Sequence, residues 1–285
     1  MPFHFRIRLP SFAFVFSMVA FALTGSAFAD QGQVRIHGDG IDSQSLQRHK
    51  AQTVKSAAWG IPIGVIETVQ DPAAARHADG TLETLRPGST VYRGDQLITG
   101  RTGSSVVVFE DQSTVSLGPD SRLLLDELVY EPAVQRGTET ISVLKGVFVF
   151  AGGQIAKMQP DAMTVKTPVA TIGIRGTTFG VHYRPNRPLT VMLLEDSNGT
   201  VGELSVRNQA GAVTLNRRHQ ATRVADLGTT PSAPAILSEQ EYGTMFGEAA
   251  SKLPGRATPR RRRNAPEIDH GNPIRQLQQD MLRQR

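Results

Sequence analysis

Between Trp59 and Val224 the chain is a series of short apolar runs, each four to nine residues long, with polar residues interleaved. "IPIGVIETV", "SSVVVF", "STVSL", "RLLLDELVY", "GVFVF" and "LTVMLLE" are examples. No segment there holds a helical apolar stripe for three turns, so period-2 alternation decides for strands. The separators "GPDS", "EPAVQRG", "AGGQ", "HYRPNRP" and "DSNG" carry the residues that turns require. Val107, Val115 and Leu123 fall eight apart, as do Phe109, Leu117 and Leu125. Residues two apart on a strand face the same way. Each run therefore lays a pair of large apolar groups on one face before the chain turns. The pattern predicts an all-β body: a compact stack of short strands, built as a β-meander, a small β-sandwich or a β-solenoid-like coil.

The flanks differ from this body. His4, Arg6 and Arg8 precede an apolar run of about 13–15 residues, and "AFA" at 27–29 is an A-x-A site before Asp30. The run is shorter than the ~20 residues that span a bilayer. Residues 1–29 are thus expected to be a signal peptide cleaved after Ala29, which would place the product in a bacterial periplasm. Residues 30–58 read as a polar leader and 59–225 as the β domain. Residues 226–271 read as a Pro/Arg-rich linker, with a short helix starting at the capping box "SEQE". Residues 272–285 read as an amphipathic helix capped at Asn272 and Pro273, with Ile274, Leu277 and Met281 on one face.

Charge sharpens the division. The 285 residues carry +5, with 39% hydrophobic and 20% charged residues. From Lys252 onward nine Lys/Arg stand against three Asp/Glu, a charge of +6, and Arg6 and Arg8 add +2. Residues 30–251 are left at −3, so the high isoelectric point belongs to the ends and does not signal nucleic-acid binding. The absence of cysteine excludes disulfides, thiolate metal sites and cysteine nucleophiles.

Catalytic motifs are lacking. There is no H-E-x-x-H, Walker loop, G-x-S-x-G elbow or EF-hand. Asp39 and Asp42 offer far fewer oxygens than the six to eight that calcium takes. His77, in "HADG", reads as part of a surface turn. The expectation is no enzyme, no metal and no cofactor.

Arg175 is the residue that most needs explaining, because "TIGIRGTTF" sets a cation among apolar strand residues. A buried guanidinium must be paired and hydrogen-bonded. One reading is a structural clamp on Asp95 or Asp126. A second is contact with an external partner or anionic ligand, and a third is catalysis. Gly173, Gly176 and Gly180 fit close backbone approach or a bulge nearby.

"VYRGDQLITGRTGSSVVVFEDQSTVSLGPDSRLLLD", then "VLKGVFVF", then "VKTPVATIGIRGTTF" resemble the FecR domain family of bacterial periplasmic proteins, over roughly residues 87–181. The positions carrying the resemblance are Gly94, Asp95, Thr99, Gly100, Asp111, Gly118, Asp126, Lys145, Gly146, Thr167, Pro168, Gly173, Arg175, Gly176 and Thr177. A glycine usually follows the aspartate of the second block, and here Gln112 follows Asp111. A tight turn with positive φ is therefore not expected there.

The best-known relatives are anti-sigma regulators with a cytoplasmic segment, one transmembrane helix and a periplasmic sensing domain. Here the apolar signal starts within about ten residues of Met1, so only the periplasmic module is expected to carry over. The resemblance implies a non-catalytic module that binds or senses a periplasmic or outer-membrane protein, in signalling. The alternative is a structural or carbohydrate-binding envelope protein. The run Arg260, Arg261, Arg262 and Arg263 reads either as a solvated linker or as a contact for anionic envelope components.

Overall fold

Short strands bounded by turns cannot bury both faces alone, and in the computed structural model they pair into two sheets. Residues 59–159 and 161–254 are described, all within one compact unit, Ser43–Arg285. The expected signal peptide, leader, Arg260–Arg263 run and 272–285 helix lie outside the described residues.

The first sheet is antiparallel throughout. Its order is β4 (Thr90–Tyr92), β1 (Pro62–Gln70), β6 (Ser104–Phe109), β7 (Thr114–Leu117), the end of β9 (Arg136–Ala151), β12 (Thr178–Tyr183), β13 (Leu189–Leu194), β16 (Gln220–Val224) and β17 (Ala235–Ile236). The second runs β3 (Leu82–Thr84), β2 (Ala73–Arg76), β5 (Gln96–Thr99), β8 (Arg122–Glu131), the start of β9, β10 (Met163–Lys166), β11 (Thr171–Arg175), β14 (Glu203–Arg207) and β15 (Ala212–Leu215). Only β9–β10 is parallel in it. Hairpins alternate between the sheets along the chain, which gives a sandwich with the local rhythm of a coil.

One strand joins the two sheets. β9 pairs with β8 up to Lys145 and with β12 from Gly146. Gly146 has φ +122, and a Cβ there would run into Ser121 Oγ and Cα. The glycine of "VLKGVFVF" is therefore the pivot at which a straight run of sequence changes sheets.

The core lies between the sheets and contains all six residues of the eight-residue spacing. Val107 faces Val115 across β6–β7, and Phe150 lies opposite Phe179 with their rings stacked at 4.9 Å. The apolar run of β13 is buried at every position. Val191 and Leu193 face the core, while Met192 and Leu194 join a second cluster on the outer face. Such near-continuous apolar character, broken only by Thr190, is what burial on both faces demands.

That outer face is covered by the segment expected as a linker. A short helix α1 (Ile155–Met158) lies between β9 and β10, and α2 (Glu239–Met245) and α3 (Gly247–Ala250) follow β17. Ser238 caps α2 through the expected box, with its hydroxyl accepting from Glu241 N at 3.2 Å. Phe246, fully buried, presses on Gly180, where a Cβ would stand 2.7 Å from its ring. Linker composition misled because only a few residues, Phe246, Ala249, Ala250 and Leu253, do the burying. No helix among the described residues is long and apolar enough to cross a membrane.

The β6–β7 turn corrects a sequence expectation. It is tight, with Gln112 N donating to Phe109 O at 2.9 Å, and Gln112 adopts φ +68. Asp111 enforces this conformation: its carboxylate accepts from Ser113 N at 2.9 Å and from Ile155 N at 3.1 Å. The non-glycine left-handed residue costs about 1–2 kcal/mol. Gln112→Gly should therefore raise stability by about 0.5–1 kcal/mol, after glycine's extra unfolded-state entropy is deducted. Urea denaturation checks this, and a loss of stability would show that the glutamine side chain contributes more than its backbone strain.

Candidate functional site

Most of the polar positions that carry the resemblance sit at turns between sheets. Gly94 (φ +91) donates its N–H to Leu125 O at 2.7 Å, and Asp95 Oδ2 accepts from Tyr92 N at 2.8 Å, closing the turn from β4 to β5. Thr99 Oγ1 donates to Gly118 O at 2.7 Å and accepts from Ser121 N at 3.0 Å, stitching β5 to the "GPDS" turn. Gly100 O accepts from Asp120 N at 2.9 Å in the same place. Thr167 Oγ1 accepts from Ala170 N at 2.9 Å in the β10–β11 turn, where Pro168 is exposed. Gly176 (φ +51) and Thr177 carry the chain from β11 to β12, with the buried Thr177 hydroxyl donating to Leu194 O at 3.2 Å. Asp161 lies over Gly173, where a Cβ would collide with its carboxylate. These residues hold connections in place.

Asp95 does not meet Arg175. Its Oδ1 lies 2.9 Å from His77 Nδ1, and His77 Nε2 lies 3.2 Å from Glu83 Oε2. Trp59 stacks on the imidazole at 3.7 Å, and Tyr92 meets both rings edge-on. His77 is buried, so the surface-turn expectation is corrected. The turn exists, with Gly80 N donating to His77 O, but the ring points inward. Alternation was the available signal: His77 follows Ala73 and Ala75, both in the core. Burial raises the Asp95 pKa, opposed by the Tyr92 N–H and His77. With its ring lidded by Trp59 and flanked by the Asp95 and Glu83 carboxylates, His77 ties the entry to β1 onto two turns.

A second buried pair was also missed. Glu139 is fully buried, its Oε1 accepting from Ser113 Oγ at 3.2 Å, and Oε2 has no partner among the described residues. Burial first, then the Asp111 carboxylate, pushes its pKa up to about 8. The side chain shares a strand face with Ile141 and Val143, so alternation again placed it inside.

Arg175 itself is exposed at the end of β11, opposite Glu203 on β14, and has no ion pair among the described residues. The buried clamp on Asp95 or Asp126 is therefore corrected. Ile172 and Ile174 take the core, and period-2 geometry turns Arg175 to the outer face despite its apolar neighbours. Asp126 sits at a β-bulge between Leu125 and Glu127.

Lys145, beside the pivot, donates to Asp120 Oδ1 at 2.7 Å, and Arg184 Nη1 donates to Asp120 Oδ2 at 3.2 Å. These three residues line a cleft with Arg122, Pro185 and Arg187.

Comparison with known proteins agrees with the motif reading. Residues 95–201 match the family model described as FecR protein, so the resemblance is shown over that segment. No curated protein matches the chain. Two crystal structures of a candidate anti-sigma factor from Parabacteroides distasonis are similar at 14% identity and a TM-score of 0.38. Each likeness covers 51% of this chain and 61% of that one, less than two thirds of its length. A cell surface anchoring domain is similar at 28% identity and a TM-score of 0.22, over 22% of this chain and 83% of that one.

The Glu139 pKa sets a pH dependence. Unfolded, this carboxyl ionises near 4.5; folded, it holds its proton to about 8. The folded state therefore binds more protons between those values, and stability falls as pH rises through that window, by up to about 1.4 kcal/mol per pH unit, then levels off. Asp95, also raised, adds a slope of the same sign beginning at lower pH. Glu139→Gln should flatten the fall between pH 5 and 8 and leave the variant more stable than wild type at pH 8. Thermal melts across that range check it; an unchanged slope would mean Glu139 is ionised inside the fold.

Proposed function

We propose that this chain is a non-catalytic FecR-type sensing module, exported to the bacterial periplasm, that docks a protein partner there. The observation that carries the reading is Arg175. The signature of the resemblance includes this arginine, yet the fold does not use its guanidinium, which stands on the outer face of the second sheet. A cation that stabilises nothing inside is available for recognition, and arginine is the charged residue best suited to an interface anchor. The neighbouring edge supports the reading. β15 pairs only with β14 among the described residues, so it offers an incoming strand a row of backbone groups.

The alternative, a carbohydrate-binding envelope protein, is weaker. The single tryptophan, Trp59, has one ring face against His77 and its Nε1 donating to Asp79 Oδ2 at 3.1 Å.

Arg175→Glu should leave stability within about 0.5 kcal/mol of wild type, as exposed substitutions do. A photocrosslinker placed at position 203, across the strand from Arg175, should capture a protein in intact cells, and the Arg175→Glu change should abolish that product. A melting temperature lowered by several degrees would restore the clamp, and an undiminished crosslink would remove Arg175 from the interface.

A further inference from the structure

The outer face of the first sheet carries a notch beside the helical cover. Thr114 on β7, Ala151 on β9 and Thr178 on β12 lie opposite one another across three neighbouring strands. Strands stand about 4.8 Å apart, so two threonines flank one small residue over a span of about 10 Å. Ala151 meets the outer apolar cluster, which places this row on the covered side of the sheet. Leu253 and Pro254, just past α3, wall the notch, while α1 brings Lys157 and the β13–β14 turn brings Asp196. The volume between them is about 220 Å³.

Lys157 and Asp196 are the charged residues among the described ones that line it, and they do not pair with each other. Asp196 Oδ1 accepts from Thr178 Oγ1 at 2.7 Å, and Oδ2 accepts from Thr200 Oγ1 at 3.3 Å. A carboxylate has about four acceptor sites, so half its capacity is left. The Thr178 proton is committed to Asp196, which leaves that hydroxyl as an acceptor. The Lys157 ammonium and the Thr114 hydroxyl have no side-chain hydrogen bond among the described residues. Both mobile-looking walls are tied down. Asp196 N donates to Thr200 O at 2.8 Å within the turn, and Gly176 N donates to Ala156 O at 3.0 Å on α1.

We propose that this pocket binds a free α-amino acid with a small aliphatic side chain. Such a molecule carries one carboxylate and one ammonium at neutral pH. The pocket presents their complements, an ammonium and a carboxylate fixed on separate elements, and charge-assisted hydrogen bonds are about twice as strong as neutral ones. Ala151, Leu253 and Pro254 supply the apolar lining that ligand sites combine with a few polar anchors. The volume lies below the roughly 300–1,000 Å³ of drug-sized sites, which restricts the occupant to a small molecule. A polyol would match the hydroxyls but leave the Lys157 charge unanswered. The notch is on the first sheet and Arg175 projects from the second, so the assignment does not rest on the protein-docking reading.

Calorimetry on the full-length protein decides it, with L-alanine, propionate (lacking the ammonium) and L-alaninamide (lacking the carboxylate) as probes. L-Alanine should bind about tenfold or more tighter than either analogue. Lys157→Gln should erase its advantage over alaninamide, and Asp196→Asn its advantage over propionate. The asparagine oxygen can still accept from Thr178, and Lys157 is exposed, so both variants should melt near the wild-type temperature. If Asp196→Asn melts early, the Lys157 arm carries the test alone. An equal loss for all three probes would mean a disturbed fold in place of charge recognition and would overturn the proposal. So would L-alanine failing to bind at millimolar concentration, D-glucose binding in its place, or an alanine affinity indifferent to both substitutions.

Discussion

The architecture depends on one strand belonging to two sheets. β9 can leave the second sheet and enter the first only where its backbone passes within contact of Ser121, and only a residue without Cβ fits there. Everything nearby serves that passage. Ser121 Oγ accepts from Val147 N at 3.1 Å just beyond the pivot, and Gly118 N donates to Val147 O at 2.8 Å. Thr99 holds the "GPDS" turn against the same corner. Once β9 is seated, Phe148 and Phe150 point into the core while Val149 points out beneath Phe246. The interior and the helical cover thus both meet residues 146–150 of this strand.

This division of labour explains what is left for recognition. Glycines, threonines and aspartates of the resembling segment go mostly to turns and connections, and the buried acids Glu139 and Asp95 meet Ser113 and His77 inside the fold. Two features remain outside that scheme: Arg175 on an outer face, and the pocket between Lys157 and Asp196. Both are set by paired strands and the connections anchored to them, so their positions follow from the rigid part of the molecule. The proposed docking role draws on this combination of a fixed scaffold and exposed charge.

Much of the fold was legible because alternation is a strong signal. The eight-residue spacing of Val107, Val115 and Leu123 became cross-strand and cross-sheet packing, and the all-β class with its sandwich option followed from it. The capping box at Ser238 was equally plain. What was not legible concerned partners distant in sequence. Asp95 was matched by charge to Arg175, but its neighbour is His77, eighteen positions earlier, read as a surface residue because a turn glycine follows it. Arg175 was taken as buried from its apolar neighbours, although those neighbours occupy the opposite face of the strand. Gln112 looked wrong for a left-handed turn, and only Asp111's bonds to Ser113 and Ile155 show why it is tolerated. The pocket joins positions 114, 157, 178 and 196, which no local pattern connects.

The direct test of the sheet-crossing account is the stability of Gly146→Ala measured beside Gly199→Ala. Gly199 also has positive φ (+81), but nothing lies within 4 Å of where its Cβ would be. Backbone strain alone should cost Gly199→Ala about 1–2 kcal/mol. At position 146 the added collision with Ser121 should raise the loss beyond about 3 kcal/mol or prevent folding. Equal, small losses at the two sites in denaturant unfolding would contradict the claim that β9 turns from one sheet into the other on this glycine.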